Sequence, residues 1–446
     1  MPVARLLYTL ALTLALPLMP VWLLWRSRLD PAYRRDWAER FLGNAPVSSA
    51  SDGRKVTIWV HAVSVGETRA AQPLIEGLLA RDPSLQIIIS HTTPTGRQTS
   101  ERLFGDRVTR CYLPYDLPWA VDRFLARTRP ALGLLMETEL WPNLIAACRK
   151  RAIPTALVNG RLSARSAAGY RRVAALTTPT LRSLSCVIAQ TEADAERFRA
   201  LGGRHIAVAG NLKFDAEPDP VLQQRGHCWR SVMGPGPVWL AASTREGEDT
   251  AMLDTVLALP SAVRLIWAPR HPHRCDAIER AIRERGLSLC RRSRDHWPDP
   301  NARVLLADTL GEMAAHIAAA DVVFVGGSMV PLGGQNLLEA CAQGRPVLVG
   351  PHTFNFADDT AGAIAVGAAR QVSDTADLVA ALAEWLKAPL SGTPSRNSAG
   401  LAARHFWKQH RGATQRTLAT LGSLVPSSGL AKDLAIGAEK PTDHHR

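Results

Sequence analysis

Two series of short apolar runs, alternating with helical patterns, constrain the fold of this chain most strongly. In the first half these runs are residues 57–61, 86–91, 110–113, 131–136, 155–159, 186–190 and 207–210. In the second half they are residues 238–242, 264–268, 288–290, 303–306, 322–326 and 346–350. Strands that alternate with helices are typical of β-α-β units. The pattern therefore predicts an α/β protein in which helices cover both faces of parallel sheets.

The alternation breaks at residues 216–237, where prolines and glycines are frequent, as in a connection between domains. A chain of 446 residues also exceeds one ordinary hydrophobic core. We therefore predict two Rossmann-like domains that face a cleft, with ligands bound at the carboxyl ends of the strands. The predicted segments are an anchor at 1–28, a first domain at 29–216, a linker at 217–237, a second domain at 238–400, a helix at 401–421 and a disordered tail at 422–446.

Residues 6–25 are almost wholly apolar and predict an uncleaved N-terminal membrane anchor. The segment just reaches the length of about 20 residues that a spanning helix needs. Pro17 and Pro20 also allow a kinked segment that lies in the membrane interface. A signal peptide is disfavoured because Trp25-Arg26 offers no small-residue cleavage site. Arginines are more frequent after the segment than before it, which places the rest of the protein in the cytoplasm.

The formal net charge of +13 indicates anionic partners, such as a membrane surface, a phosphorylated substrate or nucleic acid. The basic residues are spread along the chain, and no Lys/Arg block marks a nucleic-acid-binding arm. The seven cysteines are far apart and include no C-x-x-C pair, which favours reduced thiols in the cytosol over disulfides or a zinc cluster. A Walker A motif and a G-x-G-x-x-G after the first strand are both missing, which disfavours P-loop NTPases and ordinary NAD enzymes.

An acidic residue follows the first predicted strand, in the segment His61-Ala62-Val63-Ser64-Val65-Gly66-Glu67. Gly66 permits a tight turn into the next helix. Glu67 then lies near the helix N-terminus, where N–H groups and the helix dipole are expected to favour its ionised form. A carboxylate at this edge of a parallel sheet can act as a general base. The alternative is that Glu67 only caps the helix.

Further charged residues follow later strands of the first half. Glu137 and Glu139 come directly after the strand at 131–136, and buried carboxylates there are costly unless they are used or solvated. Their alternative role is to cap the next helix, with Pro142 in its first turn. Lys213 follows the last strand before the break, where it could offset the charge of a phosphate or be an ordinary surface lysine.

Candidate nucleotide-binding residues lie in the second half. Arg270 follows a predicted strand and could make paired hydrogen bonds to a phosphate. His271 and His273 stand on either side of a proline at a spacing that is a weak metal signal, so we predict no metal site. The segment 309–313 opens a helix whose free N–H groups could hold an anion, or it is a simple helix start.

The most specific pattern is a pair of glycine-rich segments, Val325-Gly326-Gly327-Ser328 and Gly333-Gly334-Gln335-Asn336-Leu337-Leu338-Glu339. Glycines let the backbone approach a ligand closely. Asn336 is predicted to begin a helix whose N-terminus points at a phosphate. Glu339 is predicted to accept hydrogen bonds from a ribose diol. A capping box made by Asn336 and Glu339 is the alternative.

Taken together, these segments resemble the 3-deoxy-D-manno-octulosonic acid (Kdo) transferases of Gram-negative lipopolysaccharide synthesis. The resemblance extends from the anchor to about residue 421, and its motifs are HAVSVGE, TPTG, YLPYD, METELWPN, RLSARSAAGY, LKFD, APRHP, GGS, GGQNLLEA and GPHTFNF. It implies a membrane-associated, inverting glycosyltransferase with the two-domain GT-B fold. It also implies that CMP-Kdo is the donor, that lipid IVA is the acceptor, and that neither a cofactor nor a metal is used.

The resemblance also implies roles for individual residues. Glu67 matches the family's catalytic carboxylate, and Glu137 and Lys213 match further charged positions of the catalytic site. The segments that match CMP contacts are Pro269, Arg270, Gly311, Glu312, Met313, Asn336, Leu337, Leu338 and Glu339. Gln335 stands where histidine is common in the family, and Gly160 where alanine is common. Because glutamine cannot carry a proton, an acid role does not transfer to Gln335.

Two other functions are consistent with parts of the sequence. A GT-B transferase that uses a UDP-sugar would share the fold and differ in donor preference. A basic, non-catalytic nucleic-acid-binding module would share the charge, but the sequence has no recognisable nucleic-acid-binding motif. We therefore expect no nucleic-acid partner. The resemblance favours a protein at the inner membrane, with its catalytic domains on the cytoplasmic side.

Overall fold

The computed structural model describes residues 3–28, 30–47, 56–387 and 396–425. The chain divides into two compact units. Unit 1 comprises Met1–Ala216 together with Arg411–Arg446, and unit 2 comprises Glu217–His410. Each unit is built on one seven-stranded sheet in which the paired strands are parallel.

The sheet of unit 1 has the strand order β3-β2-β1-β4-β5-β6-β7. Its strands are β1 (Thr57–His61), β2 (Gln86–His91), β3 (Thr109–Tyr112), β4 (Leu132–Met136), β5 (Thr155–Gly160), β6 (Cys186–Ala189) and β7 (Ile206–Val208). Its helices up to residue 200 are α1 (Val3–Ala15), α2 (Leu18–Arg26), α3 (Trp37–Leu42), α4 (Val65–Arg81), α5 (Pro94–Phe104), α6 (Pro118–Thr128), α7 (Pro142–Lys150), α8 (Ala164–Arg172), α9 (Ala174–Arg182) and α10 (Glu192–Ala200).

The sheet of unit 2 has the order β10-β11-β9-β8-β12-β13-β14. Its strands are β8 (Val238–Thr244), β9 (Arg264–Pro269), β10 (Leu289–Arg291), β11 (Val304–Leu306), β12 (Val322–Val325), β13 (Val347–Val349) and β14 (Ala369–Gln371). Its helices are α11 (Pro220–Val232), α12 (Asp249–Ala258), α13 (Cys275–Glu284), α14 (Met313–Ala319), α15 (Leu338–Ala342), α16 (Ala357–Ala365), α17 (Thr375–Leu386) and α18 (Arg396–Gln409). The last helix, α19 (Ala413–Thr420), belongs to unit 1.

The strand order of each sheet reverses direction near the middle of the sheet, and these central reversals place the loops that matter for function. In unit 1 the reversal lies between β1 and β4, which pair through Ile58 and Leu132. In unit 2 it lies between β8 and β12, which pair through Val322 and Trp239. In open α/β sheets, ligands bind beyond the carboxyl ends of the strands at such a reversal.

The predicted parallel α/β architecture is confirmed, and every predicted apolar run overlaps an observed strand. Strand β14 was not predicted because its three residues, Ala369–Gln371, include two polar side chains and form no apolar run. Edge strands of this length leave only a weak sequence signal.

The predicted linker at 217–237 is wrong, because most of it forms helix α11 of unit 2. Its prolines and glycines have local roles instead. Pro220 occupies the first helical turn, a position that favours proline, and the Asp219 carboxylate accepts the Val221 N–H at 2.8 Å. At Gly226 the helix packs closely on α14, since a Cβ atom there would lie 2.2 Å from the Ala315 carbonyl oxygen.

The predicted single helix at 401–421 is also wrong, and with it the domain boundary at residue 400. The helix is divided at Gly412, whose φ of 94° is readily adopted by glycine. After this turn α19 packs on α4 of unit 1, and the Asp215 carboxylate accepts the Gly412 N–H at 2.7 Å. Beyond residue 425, the predicted disordered tail lies outside the described residues.

The predicted N-terminal anchor consists of two helices. Within residues 3–28, 30–47, 56–387 and 396–425, no single helix is both long and apolar enough to cross a membrane. Helices α1 and α2 satisfy the length and composition test together, with a bend of 59° between them. The bend falls at Leu16 and Pro17, as expected for a proline that interrupts a helix.

Candidate active site

Glu67 lies in the first turn of α4, directly beyond β1. Its Oε2 accepts the Val63 N–H at 2.9 Å, and its Oε1 accepts the Ser64 hydroxyl at 3.1 Å. These are the contacts of a helix cap, so the capping alternative describes the structure in part. They also fix the direction of the carboxylate at the point where the strand order reverses.

The expectation that Glu67 is readily ionised is wrong. Burial is the largest cause that raises the pKa of Glu67 to about 8, and the charge of Glu137 raises it further. Hydrogen bonds from Val63 and Ser64 lower the pKa, but by less than burial and the neighbouring carboxylates raise it. The local helix N-terminus is therefore outweighed by desolvation and by like charges on neighbouring elements.

Glu137 and Lys213 form an ion pair at the same edge of the sheet. The Lys213 Nζ donates to Glu137 Oε1 at 2.8 Å, and both side chains are largely buried, with exposed fractions of 15% and 20%. Glu137 has a φ of 56°, in the left-handed region that non-glycine residues rarely adopt. Backbone strain of this kind costs on the order of 1 kcal/mol and is concentrated at functional sites.

Asparagine side chains fix the turn that carries Lys213. The Asn159 Oδ1, at the end of β5, accepts the Leu212 N–H at 3.0 Å. The Asn211 Oδ1 accepts the Lys213 N–H at 3.1 Å. Residues Leu212–Asp215 thereby form a 3-10 turn that presents the lysine to Glu137, which is 76 residues earlier in the chain.

His61 and Glu139 form a second pair in this cluster, and their proximity was not predicted from the sequence. The His61 Nδ1 lies 3.1 Å from the Ser90 carbonyl oxygen, which only accepts, so we assign the ring proton to Nδ1. The His61 Nε2 lies 3.9 Å from Glu139 Oε2, and within the described part of the chain it has no hydrogen-bond partner. Burial lowers the pKa of His61 to about 3, so the ring is neutral at physiological pH.

Glu139 adds a third carboxylate near Glu67. Burial raises the pKa of Glu139 to about 6, and the charge of Glu137 also raises it. At neutral pH Glu139 is therefore mostly ionised, and its negative charge disfavours the ionisation of Glu67. Its position two residues after Glu137 was visible in the sequence, but its packing against a buried histidine of β1 was not.

In unit 2 a buried glutamate organises the glycine-rich loop at the strand reversal. The side chain of Glu248 is fully buried and accepts four backbone N–H groups. Its Oε2 accepts those of Arg245 and Gly327 at 2.8 Å. Its Oε1 accepts those of Ser328 at 3.1 Å and Met329 at 3.0 Å. Sequence reasoning missed Glu248, although an acidic residue soon after β8 was the available signal.

The glycines of this loop are required by close packing. A Cβ atom at Gly326 would lie 2.5 Å from the Thr244 Cα atom, and Gly327 has a φ of 69°. A Cβ atom at Gly327 would lie 3.4 Å from Gln335 Nε2, so the amide of Gln335 is beside the loop. The two glycine-rich segments predicted from the sequence therefore lie together in space.

The predicted CMP-binding residues of unit 2 have different surroundings. Pro269 ends β9, and the exposed Arg270 follows it. The Arg270 N–H donates to the Thr244 carbonyl at 3.0 Å, which places Arg270 beside the end of β8. His271 and His273 stack on each other with ring centroids 5.5 Å apart.

Gly311, Glu312 and Met313 form the start of the short helix α14. Gly311 has a φ of 92°, which lets the chain turn sharply before the helix. The Glu312 carboxylate accepts two hydrogen bonds from Arg292, both at 3.0 Å. Although burial opposes ionisation, these hydrogen bonds hold the pKa of Glu312 below its usual value.

The helix predicted to begin at Asn336 starts instead at Leu338 and has five residues. The Asn336 Oδ1 accepts the Leu338 N–H at 3.1 Å, and its Nδ2 donates to Glu339 Oε1 at 3.3 Å. The capping alternative therefore describes these two side chains better than the phosphate-facing helix N-terminus does. Leu337 and Leu338 are buried beneath them.

Comparison with known proteins identifies the family. Residues 35–216 match the family model described as 3-Deoxy-D-manno-octulosonic-acid transferase (kdotransferase). Over 426 residues the chain is 43% identical to the 3-deoxy-D-manno-octulosonic acid transferase of Bordetella pertussis, covering 93% of this chain and 98% of that protein. The chain belongs to the Kdo transferase family. It is therefore a glycosyltransferase, and the resemblance found in the sequence is confirmed.

A second Kdo transferase and a solved structure extend the comparison. The Haemophilus influenzae 3-deoxy-D-manno-octulosonic acid transferase is 36% identical over 422 residues, covering 93% of this chain and 97% of that protein. UDP-GlcNAc 2-epimerase from Neisseria meningitidis has a TM-score of 0.56 at 14% identity, over 83% of this chain and 100% of that chain. The latter likeness concerns the fold alone. The relatives do not favour the alternative of a UDP-sugar transferase.

Proposed function

We propose that this Kdo transferase moves Kdo from CMP-Kdo to a hydroxyl of lipid IVA, with inversion at the anomeric carbon. The observation that carries this proposal is the carboxylate cluster of Glu67, Glu137 and Glu139 where the strand order of unit 1 reverses. We propose further that the enzyme works at the cytoplasmic face of the inner membrane, where a lipid acceptor is available to it.

Glu67 is the general base of the proposed reaction. An inverting transfer needs one group to take the acceptor proton while the acceptor oxygen attacks the anomeric carbon. A carboxylate with a pKa of about 8 is a much stronger base than an ordinary glutamate. The hydrogen bonds to Val63 and Ser64 fix its orientation for that step.

Glu137 and Lys213 stabilise the charges that develop during transfer. The anomeric carbon gains positive charge, which a nearby carboxylate such as Glu137 stabilises. The departing phosphate gains negative charge, which the Lys213 ammonium can offset. The 2.8 Å ion pair holds both groups in place before substrate binds, so little reorganisation is needed.

Unit 2 supplies the groups that bind the nucleotide. Arg270 offers an exposed guanidinium beside the end of β8, suited to the phosphate of CMP. The glycine-rich loop held by Glu248 offers backbone close to a ligand. Because Arg292 engages the Glu312 carboxylate, we assign nucleotide contact at Gly311–Met313 to the backbone. Asn336 and Glu339 contribute to the same nucleotide site.

The test is incubation of the full-length protein with CMP-Kdo and lipid IVA, followed by mass spectrometry of the lipid. A gain of one or more Kdo masses is expected and would also give the number of residues added. Parallel reactions with EDTA test the prediction that no metal is used. Modification only by a UDP-sugar, beside an active control enzyme, would refute the donor assignment.

The role of Glu67 is tested by Glu67→Gln, with Glu76→Gln as the matched control. Glu76 lies on the same helix and pairs with Arg107 on the surface at 2.7 Å. Loss of turnover by at least about 100-fold is expected for Glu67→Gln, as for removal of a general base. Binding of CMP is expected to be unchanged in both variants. Turnover of Glu67→Gln close to that of Glu76→Gln would contradict the base assignment.

A further inference from the structure

Arg245 lies at the central strand reversal of unit 2, directly after β8. The register between β8 and β9 shifts between Ala242 and Thr244. The residue at this shift, Ser243, has a φ of 57°, in the left-handed region that non-glycine residues rarely adopt. An irregularity of this kind redirects the side chains that follow it and is common beside active sites. The end of β8 is therefore shaped in a way that sets the direction of Arg245.

The backbone of Arg245 is fixed to the glycine-rich loop. The Glu248 Oε2 accepts the N–H groups of both Arg245 and Gly327 at 2.8 Å. A Cβ atom at Gly327 would lie 3.3 Å from the Arg245 Cγ atom, so the stem of the arginine packs on this glycine. A Cβ atom at Gly247 would lie 3.1 Å from the Val330 Cγ1 atom, so the turn after Arg245 packs on the same loop. The Arg245 side chain thus starts from a fixed position beside the loop of the proposed nucleotide site.

The Arg245 guanidinium is weakly paired with the rest of the protein. Its Nε is buried and has no hydrogen-bond partner within residues 3–28, 30–47, 56–387 and 396–425. Its ion pair joins this Nε to Glu246 Oε2 at 3.6 Å, and the Glu246 side chain is exposed. Exposed ion pairs contribute little stability, so an anionic ligand can replace Glu246. The Arg245 side chain is 27% exposed, which leaves it accessible to such a ligand.

The neighbouring Arg274 is fully engaged by the protein itself. Its Nη2 donates to both carboxylate oxygens of Asp249 at 2.6 Å, and its Nη1 donates to the Thr244 carbonyl at 3.1 Å. Its Nε lies 3.4 Å from Glu246 Oε1, so Arg274 offsets the charge of Glu246 as well. Arg274 is buried and stabilises the fold, whereas Arg245 is the arginine of this pair that a ligand can reach.

Arg245 and Arg270 stand side by side at the ends of neighbouring strands. The Thr244 carbonyl, which precedes Arg245, accepts the Arg270 N–H at 3.0 Å. Paired strands are about 4.8 Å apart, so the two arginines leave the sheet at adjacent points. Both charges act on His271: burial is the largest cause that lowers its pKa, and the charges of Arg245 and Arg270 lower it further. The edge of this sheet therefore carries two adjacent guanidiniums.

The donor of the proposed reaction carries two adjacent anions. In CMP-Kdo the anomeric carbon bears the C1 carboxylate and, through one oxygen, the phosphate of CMP. Because both groups are attached to the same carbon, they are neighbours in every conformation of the donor. A guanidinium binds either a carboxylate or a phosphate through two parallel hydrogen bonds. Two adjacent guanidiniums therefore match the charges and the spacing of this donor.

We propose that Arg245 binds the C1 carboxylate of Kdo while Arg270 holds the phosphate, so that Arg245 selects donors with a carboxylate on the anomeric carbon. This inference rests on the proposed function, because it takes CMP-Kdo as the donor. A nucleotide sugar with hydrogen in place of the carboxylate leaves Arg245 with only the exposed Glu246 as its ionic partner. CMP alone also leaves Arg245 without its ligand.

Equilibrium binding to the full-length protein tests this assignment. The ligands are CMP, a non-transferable CMP-Kdo analogue with a methylene group in place of the oxygen between sugar and phosphate, and the C1 methyl ester of that analogue. The variants are Arg245→Met and the matched control Arg280→Met, which removes the same charge at an exposed position of α13. Because Glu248 holds the backbone of Arg245, both variants are expected to fold, and melting temperatures check this.

The wild type and Arg280→Met are expected to bind the analogue at least about tenfold more tightly than its methyl ester. In Arg245→Met this preference is expected to disappear, while the affinity for CMP stays unchanged. Arg245→Lys is expected to keep part of the preference, since an ammonium retains the charge but not the paired hydrogen bonds.

The results that would overturn the proposal are distinct. If Arg245→Met still prefers the analogue to its ester, another group binds the carboxylate. If Arg245→Met loses affinity equally for CMP, the analogue and the ester, Arg245 contacts the nucleotide instead. Failure of the proposed function has a different signature: the wild type then binds neither CMP nor the analogue, and the donor assignment falls together with this one.

Discussion

The raised pKa of Glu67 leads to a specific pH dependence of transfer. As the pH rises from about 6 to about 9, Glu67 loses its proton and becomes able to accept one from the acceptor hydroxyl. With a pKa of about 8, roughly one-tenth of the enzyme is active at pH 7 and about half at pH 8. The expected kcat/KM therefore increases about tenfold per pH unit at low pH and levels off above pH 8.

The neighbouring carboxylates provide a second test of the same argument. Glu139→Gln removes one negative charge that raises the pKa of Glu67, so the midpoint of the profile is expected to move to lower pH. A shift of about one unit corresponds to about 1.4 kcal/mol of interaction between the two carboxylates. The Glu76→Gln control keeps the cluster intact and is expected to leave the midpoint unchanged.

The assay is the initial rate of Kdo transfer to lipid IVA, measured by mass spectrometry at constant ionic strength between about pH 5.5 and about pH 9.5. Donor concentration is varied at each pH to obtain kcat/KM, which reports ionisations of the free enzyme. A rate already at its plateau at pH 6 would refute the reasoning, because Glu67 would then ionise like an ordinary glutamate.

Four further outcomes are expected. Glu67→Gln should make the melting temperature less dependent on pH. The raised pKa of Glu67 contributes stability that is complete below about pH 4.5 and is lost as the pH rises through about 8. Melting temperatures of both proteins measured at about pH 4.5 and about pH 8 check this prediction. Glu248→Gln should weaken CMP binding at least about tenfold in calorimetry, since the amide nitrogen cannot accept hydrogen bonds and two of the four backbone N–H groups of the loop lose their acceptor. Arg270→Ala should also weaken CMP binding, and an unchanged affinity would remove Arg270 from the site. Lys213→Met should reduce kcat and lower the melting temperature, because it leaves the largely buried Glu137 without its cation.

Local sequence patterns were sufficient to predict most of the framework. Buried parallel strands such as β1 and β4 are continuous apolar runs, because both faces of the sheet are covered by helices. The glycines at 326 and 327 were predicted to let the backbone approach a ligand, whereas in the structure a Cβ atom at Gly326 would meet the Thr244 Cα atom of β8 at 2.5 Å. The same local logic failed at 217–237, where Pro220 and Gly226 serve a helix start and a helix contact.

The sequence by itself determined the order of the strands along the chain, the family and the positions where charged residues follow strands. Only the tertiary structure decided how those charges interact. It brought Lys213 to Glu137, placed Glu139 beside a buried histidine, and surrounded Glu248 with four N–H groups.

The pKa of Glu67 and the proximity of Arg245 to Arg270 were likewise decided by packing. The physical reason is the range of the interactions. Helix starts and apolar periodicity depend on neighbours a few residues away, whereas desolvation and charge pairing depend on elements distant in the chain that the fold brings together.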